Sequence, residues 1–121
     1  MRSATAFENL GGFARVRLLV SDFYEKVLES ERLRPYFAEV DMRRLIDHQT
    51  KFFAAMMGGP ASFTDEQMKR AHSRLGIGDD DFDEIAELFR ETLEDHGVQE
   101  PELGRLHAQL LSMRPHVVAS R

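Results

Sequence analysis

Apolar residues at Val16, Leu19, Val20, Phe23, Val27 and Leu28 recur at spacings of three and four, which predicts a helix from Phe13 to Ser30 with one apolar stripe. Gly11 and Gly12 break the chain just before it. A short kinked segment around Pro35, Tyr36 and Phe37 follows, and a second helix is expected from about Asp41 to Met57, stopped by Gly58, Gly59 and Pro60. The run Thr64-Asp65-Glu66-Gln67 has the form of a capping box, so a third helix should begin there and end near Gly76. Asp79 to Asp81 place acids at the positive end of a fourth helix, with Phe82, Ile85, Phe89 and Leu93 facing inward and Gly97 as terminator. Pro101 suits the first turn of a last helix carrying Leu103, Leu106, Leu110 and Met113. No segment alternates with period two between turn signals, so the expected fold is all-α, a single domain over residues 1–121 without repeat or linker.

Four polar side chains interrupt the apolar stripes. Tyr24 lies beside Phe23, Val27 and Leu28. His48 and Gln49 share the row of Leu45, Phe52 and Met56, and His72 stands between Met68, Ala71 and Leu75 at i, i+3, i+4 and i+7 spacing. A buried phenol, amide or imidazole without a partner costs roughly 1–3 kcal/mol, so these groups must satisfy one another or something held between them. One at a time, each also reads as a core residue bonded to a carbonyl or a water.

Composition narrows the choice. With 42% hydrophobic and 31% charged residues the chain is too apolar to be disordered and should form one core. Sixteen Lys and Arg against 21 Asp and Glu leave a formal charge of −5, which argues against nucleic acid or an anionic membrane surface as partner. The absence of Cys excludes disulfides, thiolate zinc sites, iron–sulfur clusters, thiol nucleophiles and CxxCH attachment of a c-type haem. The opening MRSATAFENL is not a signal peptide, and no stretch reaches the ~20 apolar residues of a membrane span, so a cytoplasmic location is expected. The acidic run GDDDFDE at 78–84 lacks the spacing of a calcium loop, and no HExxH, phosphate loop or nucleophile elbow is present.

Taken in order, LGG at 10–12, DFYEKVL at 22–28, YFAEVDM at 36–42, HQTKFF at 48–53, GGP at 58–60 and MKRAHSRLGI at 68–77 resemble the group I truncated haemoglobins over nearly the whole chain. The resemblance implies a truncated-globin fold, a two-over-two helical sandwich around haem b (iron protoporphyrin IX). It puts His72 at the proximal iron ligand and Phe37 against the porphyrin. It also implies a cofactor wall that includes Leu45, Phe52, Phe53, Met68, Ile77 and Phe82, with Arg44 and Arg74 beside the propionates. Lys69 and Arg70 flank the same pocket, and solvated helix faces account equally for at least two of these four cations.

On the opposite side of the haem, Tyr24 and Gln49 match positions that in this family donate hydrogen bonds to the bound gas, while Leu45 departs from the polar residue many relatives carry. His48 matches a residue that in some relatives becomes a sixth iron ligand; its other reading is a histidine at the haem edge bonded to a propionate or to solvent. His116 falls roughly where certain cyanobacterial relatives attach haem through a vinyl group. The paired glycines at 11–12 and 58–59 look like those with which the family shortens its helices, and ordinary helix stops explain them as well. His107 has no functional reading, and His96 beside Gly97 suits a helix C-terminus.

The function implied is binding of O2, CO and NO at a five- or six-coordinate haem. NO dioxygenation is a further capacity that would need an external reductase, since no reductase fits in the remaining chain. The alternative is a gas or redox sensor domain signalling through ligand exchange at His48. A cofactor-free helical bundle is the bland third class. A monomer or weak dimer is expected.

Overall fold

The computed structural model describes residues 5–59 and 76–118. In chain order the helices are α1 (Ala6–Leu10), α2 (Phe13–Glu29), a 3₁₀ turn (Arg34–Phe37), α3 (Met42–Met56), α4 (Asp79–Asp95), α5 (Glu102–Leu111) and α6 (Arg114–Val117). The third helix expected from Thr64 lies outside the described residues. Extended pairing among the described residues is limited to an isolated parallel bridge between Ile77 and Val118.

In α2 and α4 the predicted stripes supply most of the buried face. In α2 the buried residues are Val16, Leu19, Val20, Phe23, Tyr24 and Val27, and in α4 they include Phe82, Ile85, Phe89 and Leu93. These stripes pack two helix pairs, α2 with α3 and α4 with α5, and the α2–α4 contact joins the pairs. Phe53 of α3 stacks on Phe89 of α4 at 5.0 Å between centroids, and Phe23 of α2 meets both edge-on at 6.1 and 5.7 Å. Three helices thus share one aromatic centre. The buried hydroxyls of Thr50 and Thr92 bond back to the carbonyls of Ile46 and Leu88, both at 2.7 Å, so neither costs an unmet hydrogen bond.

Two details depart from the sequence reading. Five residues are too few to show a helical period, yet α1 forms because Thr5 and Glu8 make a reciprocal capping box. The last helix does not run through Met113. It ends at Leu111 and restarts at Arg114, because Pro115 has no amide to donate and is tolerated only in a first turn.

Charged ends are cross-linked. His96, the C-cap of α4, reaches Asp22 of α2 with Nε2 2.7 Å from Oδ2, and Lys26 pairs with Asp95 at 2.8 Å. At the other end of α4, Arg114 donates to Asp79 at 2.8 Å and to Asp83, with its guanidinium 4.8 Å from the centre of the Phe82 ring. The acidic start of α4 therefore serves both the helix dipole and the C-terminal turn.

The glycine pair after α3 is more than a stop. Gly58 has φ +90°, in the left-handed region, and a Cβ on Gly59 would lie 2.7 Å from Cδ1 of Phe7 and 2.9 Å from the carbonyl oxygen of Ala54. Gly59 lets α1 close onto the end of α3, where the Phe7 amide bonds the Met57 carbonyl at 2.9 Å. Gly59→Ala is expected to destabilise the fold by about 1–3 kcal/mol, because backbone on one side leaves the methyl no room. A urea midpoint equal to that of the parent chain would contradict this.

Candidate functional site

Helices α2 and α3 pack with Tyr24 and Gln49 facing each other. Both are buried, at 6% and 2% exposure, and Nε2 of Gln49 donates to the Tyr24 hydroxyl at 3.0 Å. Burial pushes the Tyr24 phenol up to about 12, and the hydrogen bond from Gln49 offsets only part of that rise. The phenol is therefore neutral across the physiological range and keeps its hydrogen. Its oxygen accepts from Gln49, so the hydrogen remains for donation, and among the described residues no group takes it.

The aromatic surroundings fix where that hydroxyl sits. The Tyr24 ring meets Phe23 edge-on at 4.9 Å and Phe37 of the 3₁₀ turn edge-on at 5.9 Å, 72° between planes. Phe37 is buried at 6% exposure. Beside this pair Leu45 and His48 are half-buried on α3, His48 immediately before Gln49. Arg44 is exposed, its backbone amide bonded to the Asp41 carboxylate that caps α3 at 3.3 Å. Phe52 and Phe53 are buried, Phe53 within the aromatic centre. Ile77 and Phe82 are buried just before and within the first turns of α4. His72, Met68 and Arg74, with Lys69 and Arg70, lie outside the described residues, and His116 stands in α6.

The residues that the sequence brought forward separately as inward polar groups, Tyr24 and Gln49, thus form one hydrogen-bonded pair. A link that sequence reasoning missed is the one from the 3₁₀ turn to α4. The Tyr36 hydroxyl donates to Oδ2 of Asp81 and accepts from the Gly78 amide at 3.4 Å, while Arg32 Nε faces Oδ1 of the same carboxylate. Asp81 belongs to an acidic run whose local pattern signals only a helix start, so nothing in the sequence singles it out.

Two packed helix pairs holding a neutral phenol and an amide inside an aromatic lining define a small all-helical protein with a buried polar pair in its core. No described helix is long and apolar enough to cross a membrane. A sequence model of the family described as bacterial-like globin matches residues 5–119. The group 1 truncated haemoglobin of Synechocystis sp. is 38% identical over 101 residues, covering 80% of this chain and 82% of that protein. The group 1 truncated haemoglobin of Tetrahymena thermophila is 33% identical over 103 residues, covering 85% of each. Among solved structures, the 2/2 haemoglobin of Synechococcus sp., in the cyanomet state with covalently attached haem, superposes with a TM-score of 0.86 at 34% identity, covering 95% of this chain and 98% of that one. The chain belongs to the bacterial-like globins, as a group 1 truncated haemoglobin. Its two helix pairs are the two-over-two globin sandwich.

Proposed function

We propose that this chain binds O2 and other diatomic gases at haem b, with His72 as the residue that would hold the iron and the Tyr24–Gln49 pair as donors to the gas. As a truncated haemoglobin the chain is a haem protein. When bound, the haem would supply an iron able to take a diatomic ligand and share electron density with it.

The residues fit such a group. A phenol hydrogen that no described group takes, inside an aromatic lining, is suited to a ligand that is apolar before binding and partly negative after it. Phe37, Phe52 and Phe82 are buried aromatic side chains suited to pack on a flat macrocycle, and His72 carries an imidazole, a side chain that can ligate iron. The single observation that carries the reading is the 3.0 Å bond from Gln49 to Tyr24, because it turns the phenol hydrogen away from its own partner and leaves it available.

A donor held in place by packing needs no reorganisation when the gas arrives, so it slows release more than it slows entry. NO dioxygenation extends the same reading: one O2, one NO and one electron give one nitrate, and the electron must come from an external reductase. Titration of ferrous haem into the apoprotein under CO is expected to saturate at one haem per chain with a sharp Soret band. No Soret change at equimolar haem would overturn the assignment. A six-coordinate ferrous spectrum before gas is added would instead favour exchange at His48, half-buried beside Gln49, and with it the sensor reading.

A further inference from the structure

The link between Tyr36 and Asp81 joins the two halves of the site. Tyr36 precedes Phe37 in the 3₁₀ turn, and Phe37 is the ring against which the edge of Tyr24 rests at 5.9 Å. Asp81 lies in the first turn of α4, directly before Phe82, whose side chain is 1% exposed. One carboxylate therefore takes the Tyr36 hydrogen on one oxygen and faces the Arg32 guanidinium with the other, and both partners come from the connector between α2 and α3. The hydrogen bond to Asp81 raises the Tyr36 phenol above the ordinary tyrosine range, so the donor stays protonated.

A 3₁₀ turn of four residues is closed by a few local backbone bonds, so its orientation relative to α4 depends on what its side chains grip. Phe37 grips the core through packing, which permits the ring to slide and tilt. The Tyr36 hydroxyl supplies a directional contact on the neighbouring residue. We propose that Tyr36 and Asp81 are a positioning pair that holds Phe37 against Tyr24, and so keeps the distal phenol aimed at the gas ligand. This rests on the reading of Tyr24 as the donor. Loss of the pair lets the 3₁₀ turn and Phe37 relax, and the phenol then meets the gas at a poorer angle without any change to Tyr24 or Gln49.

The test uses the haem-loaded protein and four variants: Tyr36→Phe, Asp81→Ala, Asp81→Asn and Tyr24→Phe. Tyr36→Phe and Asp81→Ala are each expected to speed O2 release about 3- to 10-fold, less than the roughly 10–100-fold typical of losing a group's direct outer-shell partner. Both should move the C–O stretching band of the CO complex in the same direction as Tyr24→Phe, a signature that general loosening of the fold would not produce. Asp81→Asn should restore most of the parent behaviour. Its amide oxygen still accepts from Tyr36, whereas both Asp81 variants equally lose the charge at the start of α4. Parent-like O2 release and C–O band in Tyr36→Phe and Asp81→Ala, with Tyr24→Phe altered, would overturn the positioning pair alone. An unaltered Tyr24→Phe would remove the donor reading and the pair together.

Discussion

His72→Ala is expected to lose most of the protein's affinity for haem, the largest effect of any single change in this chain. His72 is the residue that the motif MKRAHSRLGI at 68–77 puts at the proximal position, on an apolar row shared with Met68, Ala71 and Leu75. Outer-shell partners of a metal ligand are worth roughly 10–100-fold in affinity, so losing the ligand itself should exceed that range. The fold should survive the change in the apoprotein, because the aromatic centre of Phe23, Phe53 and Phe89 and the packing of α2, α3 and α4 on one another are made by residues of those helices. Haem titration followed by absorbance, with far-ultraviolet circular dichroism as a check on the helices, measures this. Added imidazole should restore a five-coordinate ferrous spectrum by entering the vacated position. A variant with parent haem affinity and an unaltered ferrous spectrum would show that another residue holds the iron.

The second large effect is that of Tyr24→Phe on gas release. A hydrogen bond toward a partly charged acceptor in a desolvated site contributes about 1.5–3 kcal/mol, which corresponds to O2 leaving roughly 10–100-fold faster once the hydroxyl is gone. Gln49 loses its acceptor at the same time and can swing toward the gas, so the observed factor should fall near the lower end unless Gln49 is replaced as well. Stopped-flow displacement of O2 by CO reads the rate directly, and an off-rate equal to the parent's would place the donor elsewhere.

The same substitution has a pH signature with a defined sign. The unfolded chain ionises Tyr24 near its ordinary value of 10.0, but the folded chain does so only near about 12. The folded state therefore binds the proton more tightly, and the corresponding stability is complete below pH 10 and declines as pH rises from there toward 12. Tyr24→Phe should remove this part of the alkaline decline. The Tyr36 phenol, also raised, leaves a remainder.

What can be read from the chain without coordinates is whatever depends on nearest neighbours along it. Helical period names the buried face of each long helix, so Val16, Leu19, Val20, Phe23 and Val27 are legible as core, and Tyr24 and Gln49 as polar groups turned inward. Glycine and capping signals mark the ends of α2, α3 and α4 because they act on a few adjacent backbone groups. The order of six segments, compared with a known family, adds haem and the expectation that His72 holds its iron, which no single helix pattern states.

The tertiary structure decided the partners. A helix stripe says that a side chain is buried but not which side chain from another helix meets it, since that depends on how the helices cross. Thus the bond between residues 24 and 49 and the shared carboxylate between residues 36 and 81 emerge only when α2, α3 and α4 are packed. The same holds for the bridge from His96 to Asp22, where the sequence indicates a histidine suited to a helix end and the fold supplies the acid. Five-residue α1 carried only its capping box as a signal, and it forms where Gly59 leaves room for Phe7 against α3. Local chemistry determined the elements and their inward residues; close packing between elements distant in sequence selected one set of polar pairs among many that the same stripes permit.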